Sequence, residues 1–143
     1  RLQRKFTKLA SKIGNRRQLM NRIGIQILNQ VGENFKQEGN DGEKWPALSP
    51  FTLARRRNKD KSTVKILQDT GELRRSFARK YTNDEIRIGT QKNYAPPHEF
   101  GEGLPQRKML PSQKLGLEIA ISVAEHYILQ ARKQSFGGSG GLA

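Results

Sequence analysis

The chain has no cysteine among its 143 residues. That excludes a disulfide framework, a thiol nucleophile and any cysteine-based zinc site. No apolar run approaches the roughly 20 residues needed to span a bilayer, and the N-terminal stretch lacks the apolar core of a signal peptide. A soluble protein that is not exported by that route, with no membrane partner, is therefore expected. No Pro/Ser-rich linker divides the sequence, so one domain over residues 1–136 is expected, followed by a flexible Gly/Ser tail over residues 137–143. The hydrophobic share is 34%, below the roughly 45–50% of an ordinary globular chain, a figure that also counts glycine. The core should be modest and open to completion by neighbouring subunits. Acidic residues are also scarce, and none precedes Glu33.

Basic residues are abundant. Lys and Arg number 27 against 13 Asp and Glu, a formal charge of +14, which attracts nucleic acid, anionic lipid or an acidic protein face. Apolar residues recur at three-and-four spacing from Phe6 through Leu9, Ile13, Met20, Ile23, Ile27 and Val31 to Phe35, the signature of one helical face. A long N-terminal helix is expected, with Gly14-Asn15 as the place where the pattern allows a break. Its first half carries Arg1, Arg4, Lys5, Lys8, Lys12, Arg16, Arg17 and Arg22. Two uses fit this one-sign surface: a solvated face, or a face placed against phosphates or acidic side chains.

Gly39-Asn40-Asp41-Gly42 ends the helix with residues that tolerate positive φ, and Trp45 is expected to pack over the helix end, its alternative being an interface anchor. Ser49-Pro50 reads as an N-cap and a first helical residue, opening a short helix into Arg55-Arg56-Arg57. The arginines suit a helix C-terminus electrostatically and equally suit a polyanion. Lys12, Arg16, Arg17, Arg55, Arg56 and Arg57 are the candidate contacts to DNA or an acidic partner. Residues 58–63 read as a mobile loop. Asp69 or Thr70 can cap another short helix that turns Leu73 and Phe77 inward. A strand pair follows, with a turn at Asn83-Asp84 and Ile86 and Ile88 alternating against Glu85 and Arg87.

Ile86 to Pro111 is the most heavily punctuated segment. It reads as a strand ending at Gly89-Thr90, a turn entered through Tyr94-Ala95, a corner at Phe100-Gly101, and an extended piece from Leu104 to Leu110. Ser112 is placed to cap a C-terminal helix so apolar, from Leu115 to Ala131, that burial on two sides is expected. The fold class is α+β: long N- and C-terminal helices packed on a small antiparallel sheet, with short helices in the connections.

Catalytic chemistry finds little support. His98-Glu99 has no HExxH spacing or carboxylate cluster around it, and the only other histidine is His126 in the apolar helix. No serine sits in a G-x-S-x-G setting, and no glycine-rich loop has the phosphate-cradling form. Asp41, Asp60, Asp69 and Asp84 all fall at turns or caps. A non-enzyme without cofactor or metal is expected, with His98 in a structural role, stabilising a turn by a hydrogen bond.

One ordered set of signals remains. Gly42-Glu43-Lys44-Trp45-Pro46-Ala47-Leu48-Ser49 follows the first helix; then come Ile66-Leu67-Gln68-Asp69-Thr70-Gly71-Glu72-Leu73, Ile88-Gly89-Thr90, Tyr94-Ala95, His98-Glu99-Phe100-Gly101 and Leu104-Pro105-Gln106-Arg107. From about Phe35 to Pro111 the chain resembles the virion morphogenesis family of tailed bacteriophages, whose members are tail-completion or head-tail joining proteins. It departs from the family pattern in Glu99, where Gln is usual, and in Pro96-Pro97 before the histidine. The resemblance implies a structural subunit of the virion, several copies forming a ring at the neck or the head-proximal end of the tail. Expected partners are other copies of the chain, neighbouring neck, tail-terminator or connector proteins, and genomic DNA passing without sequence readout. Assembly would take place in the host cytoplasm. Trp45, Tyr94, His98, Phe100, Arg107 and Lys108 are the candidate subunit or ring contacts. The alternative is a monomeric nonspecific nucleic-acid-binding protein.

Overall fold

A computed structural model describes residues 1–57 and 64–140, with the backbone alone for Arg57 and residues 136–140. The mobile loop expected at residues 58–63 and the end of the tail at 141–143 lie outside the described residues. The order is α1 (Leu2–Ala10), α2 (Arg16–Gln37), β1 (Gly39–Asn40), β2 (Glu43–Lys44), α3 (Pro50–Arg57), α4 (Glu72–Ser76), β3 (Ala78–Tyr81), β4 (Ile86–Gly89), α5 (Ala95–Phe100) and α6 (Gln113–Gly140). The class is α+β as expected, although the strands form two antiparallel pairs, β1-β2 and β3-β4, rather than one sheet.

The N-terminal helical pattern does break where Gly14-Asn15 allowed it. The Asn15 side-chain oxygen accepts the Gln18 N–H at 3.1 Å, capping α2, as a helix start requires for its unpaired donors. At the other end Glu38 takes a φ of +53°, and Asp41 and Gly42 follow at +50° and +83°. Two successive positive-φ residues suit the tight hairpin turn whose twist matches its strands. The stretch read as a helix stop is therefore also the β1-β2 hairpin, with Gly39 opposite Lys44 and Asn40 opposite Glu43.

The chain folds into two compact units, each assembled from separated segments. One holds Arg1–Gln26, Lys80–Arg87 and the chain from Gln113 onward. There α1 lies along α6, and Ala10, Ile13, Leu19, Met20, Ile23, Ala120, Ile121 and Ala124 are buried. Polar contacts bind α6 to α1 and to the start of α2: Lys5 to Glu125 at 3.4 Å, Tyr127 to Gln18 at 2.9 Å, and Arg22 to Gln130 at 3.1 Å. Within the single chain α6 is not buried on two sides. Among its described residues the buried stripe is Ala120, Ile121 and Ala124, while Leu129 is 53% exposed. Its helical backbone continues to Gly140, into the stretch marked by composition as a tail.

The other unit holds Ile27–Arg79 and Ile88–Ser112. Its core joins Val31 and Phe35 of α2 to Trp45, Leu73, Ala95 and Met109, with Ile66, Leu67, Phe77, Ile88 and Leu110 packed around them. Phe35 meets Trp45 edge-on at 5.4 Å and Phe77 at 5.9 Å between ring centroids. Leu73 and Phe77 thus turn inward as expected. The N-cap of the helix that carries Leu73 is Gly71, with φ of +79°, and not Asp69 or Thr70: no side chain caps this helix, and the Thr70 hydroxyl only accepts the Glu72 N–H at 3.3 Å, two residues on.

Candidate functional site

Three short helices and one extended segment of this second unit surround a cavity of about 620 Å³. Each wall has a local cause. Helix α3 begins as anticipated: the Ser49 hydroxyl accepts the Thr52 N–H at 3.2 Å, and Pro50 stands first in the helix, where its missing N–H is not needed. The stretch that reads in sequence as a turn at Tyr94-Ala95 and a corner at Phe100-Gly101 is instead the helix α5. Pro96 and Pro97 lie in its first turn, the one part of a helix that tolerates proline. Gly101, with φ of +72°, closes it, so the expected aromatic-glycine corner is a helix C-cap.

The extended segment is fixed by its backbone. The Arg107 N–H donates to the His98 carbonyl at 2.8 Å, and the Glu99 carboxylate accepts the N–H groups of Met109 at 2.6 Å and Leu110 at 3.4 Å. Glu99 is therefore a brace between α5 and the segment after it. His98 was expected to stabilise a turn through a hydrogen bond; the bond is made by its main chain. Its imidazole Nδ1 is buried with no hydrogen-bond partner, and burial, helped by the positive Arg107, holds the imidazole below its usual pKa.

The candidate contact residues separate into two groups. Tyr94 is 43% and Phe100 67% exposed, and Lys108 is exposed as well. Trp45 and Arg107 are each 6% exposed, so neither stands on the outer surface, although Arg107 lines the cavity. Trp45 is held by its ring contact with Phe35 and by an indole N–H bond to the Lys108 carbonyl at 2.9 Å. Arg107 donates to the carbonyls of Pro46 at 2.9 Å and Ala47 at 3.0 Å. A guanidinium with five N–H groups can satisfy carbonyls that no local structure reaches, and that explains its burial.

The basic residues also diverge. Lys12, Arg16 and Arg17 are exposed, but Arg16 lies 3.4 Å from Asp84 and Arg17 stacks 4.9 Å over the Tyr81 ring. Arg55 is exposed, Arg56 is not, and the Arg57 side chain is outside the described residues. Arg56 bends into the cavity wall, donating to the Lys65 carbonyl at 2.8 Å with Asp69 3.9 Å from its Nε. The arginine triplet is thus not one patch. Nothing in the local pattern of 50–57 distinguishes Arg56 from its neighbours; three of the cavity's other contributors, Leu67, Thr70 and Leu104, fall within the motifs singled out by their order.

Among the described residues no three His, Asp or Glu side chains gather to hold a metal ion, and no helix is long and apolar enough to cross a membrane. No curated protein and no solved structure matches the chain. A family match does exist, and it covers residues 1–129, thus the whole second unit with all the walls of the cavity and most of the first unit. The family concerns the building of phage particles and is not a known enzyme class. The chain belongs to the phage virion morphogenesis family.

Proposed function

We propose that the protein is a non-enzymatic structural subunit of the virion, several copies of which form a ring at the neck or the head-proximal end of the tail. Family membership supports the virion role. The observation that carries the ring is the exposure of large apolar side chains in the second unit: Phe51, Tyr94 and Phe100 are 77%, 43% and 67% exposed. Taken as one edge they form an interaction surface, and a rotationally closing head-to-tail contact turns such an edge into a ring. Tyr94, Phe100 and Lys108 are the proposed contacts on this edge, with His98 beneath them. Arg107 and Trp45 act by holding its shape. Electron microscopy of intact particles is expected to place a discrete multimer at the head-tail junction; its absence from particles would overturn the proposal.

The second reading, a monomeric nucleic-acid binder, is favoured by one observation. Arg1, Arg4 and Lys8 share an exposed groove on α1. DNA affinity falling steeply with salt, in a protein that stays monomeric and enters no particle, would support it over the ring. In the ring reading the same residues, with Lys12, Arg16, Arg17 and Arg55, face DNA or an acidic neighbour.

A further inference from the structure

We infer that the cavity walled by α3, α4, α5 and the 104–107 segment receives an acidic peptide segment of a different protein of the particle. One carboxylate of that segment meets Arg56 and Arg107 while an apolar side chain beside it rests on Leu48, Leu67 and Leu104. The inference rests on the virion-assembly reading for the existence of such a partner.

Both guanidiniums contribute to one concavity. Arg56 Nε is buried with no hydrogen-bond partner; Asp69, also on the cavity wall, is ion-paired with it at 3.9 Å, a distance that leaves the N–H itself without an acceptor. His98 Nδ1, on the same wall, is likewise buried and without a partner. Buried polar atoms left in this state ask for an explanation, and an incoming ligand is one. Burial and the charge of Arg56 both disfavour the charged form of Arg107, and an anion between the two would relieve that repulsion. The backbone adds a further sign. Leu67, on the wall, has a φ of +59°, a conformation costly for a branched side chain. It is held there by its neighbours: the Ile66 N–H donates to Glu38 at 2.6 Å and the Gln68 amide to the Phe35 carbonyl at 2.8 Å.

The chemistry selects the occupant. Arginine pairs with carboxylate in a two-pronged geometry, and the leucines of the wall require an apolar group next to it. A DNA backbone has phosphates but no apolar side chain, and it is bound by exposed cations along a surface. A second copy of this chain is the weaker fit, because at +14 its field opposes another copy, whereas an acidic chain is steered in.

The test uses the purified full chain and N-acetylphenylalanine, which joins one carboxylate to one apolar side chain. Side-chain nitrogen resonances of Arg56, Arg107 and His98 are followed by NMR during titration. Saturable shifts are expected with a dissociation constant on the order of millimolar, as for any ligand of so few atoms. The neutral N-acetylphenylalaninamide and the variant Arg56→Gln should each bind about tenfold more weakly, the loss of one charge-assisted contact. Arg107 variants are a poor choice because this residue holds two carbonyls; Leu104→Ser, at a residue already 44% exposed, tests the apolar contact with the fold intact. Equal binding of acid and amide, absence of shifts at Arg56 and Arg107, inorganic phosphate binding as well as the acid, or short duplex DNA moving the same resonances would each overturn the inference. Particles lacking the protein at the head-tail junction would refute the ring and leave the titration result standing.

Discussion

Asn34 is 2% exposed and its amide is committed on both sides. It donates to the Met109 carbonyl at 2.9 Å and to the Asn40 side chain at 3.3 Å, and accepts from Gln30 at 3.0 Å. Asn34→Ala would leave a buried carbonyl without its donor, and should destabilise the protein by about 2–3 kcal/mol, read as a lower urea midpoint. His98 makes a pH-dependent contribution. Its folded pKa lies below the unfolded value, so the unfolded chain takes up the proton first as pH falls. The contribution is complete above the unfolded pKa near 6.5 and is lost as pH falls through the lower folded value. Urea midpoints should therefore decline as pH falls below about 6.5, less so in His98→Gln. At this scale the sequence is a partial guide. Trp45 was foreseen over the end of α2 because an indole beside a helix stop has somewhere apolar to go. The burial of Arg107 was not, because its acceptors, the carbonyls of Pro46 and Ala47, lie about sixty positions earlier in the chain and no local rule pairs them.

Helix boundaries were legible wherever a side chain caps them. Ser49 and Asn15 are examples, and Ser49→Ala should cost about 1 kcal/mol in thermal unfolding. The β1-β2 hairpin and α5 were less legible, for opposite reasons. The residues at 39–42 satisfy two descriptions at once, helix stop and hairpin turn, and only the pairing of Gly39 with Lys44 decides. In α5 two prolines mask a helix that they are positioned to start. Gly39 illustrates how close the hairpin packing is. A Cβ there would stand 2.5 Å from the Glu43 carbonyl oxygen, and Gly39→Ala should destabilise the fold by about 1–3 kcal/mol, the usual range for overpacking. Chemical denaturation measures it, and an unchanged midpoint would show that the two strands can part at little cost.

For the whole molecule, the α+β class and the family were both readable from the order of weak signals, since motif order survives even where each motif is ambiguous. The division into two compact units was not readable. Composition shifts mark domain boundaries when a linker separates cores, but here the chain passes from one unit to the other at 26/27, 79/80, 87/88 and 112/113, inside helix α2 and strands β3 and β4 or directly before α6. The exposed aromatic edge makes its prediction at this scale. Phe100→Ala should leave the urea midpoint of the isolated protein within about 0.5 kcal/mol of its original stability, as for an exposed side chain. The same variant should fail to assemble into particles, and normal particles from it would count against the ring contact.

The pairing of α1 with α6 has a consequence for synthesis. Lys5 of α1 meets Glu125 of α6, so α1 leaves the ribosome well before the helix it packs on. The second unit, residues 27–79 and 88–112, is fully synthesised before α6 exists. Contacts this distant in sequence form late, after the entropy of a long loop has been overcome. During that interval α1 displays its apolar stripe and its acid-free row of lysines and arginines together. A nascent chain arrested before residue 113 should therefore be protected from protease in the second unit while α1 remains cleavable, and release of α6 should close both.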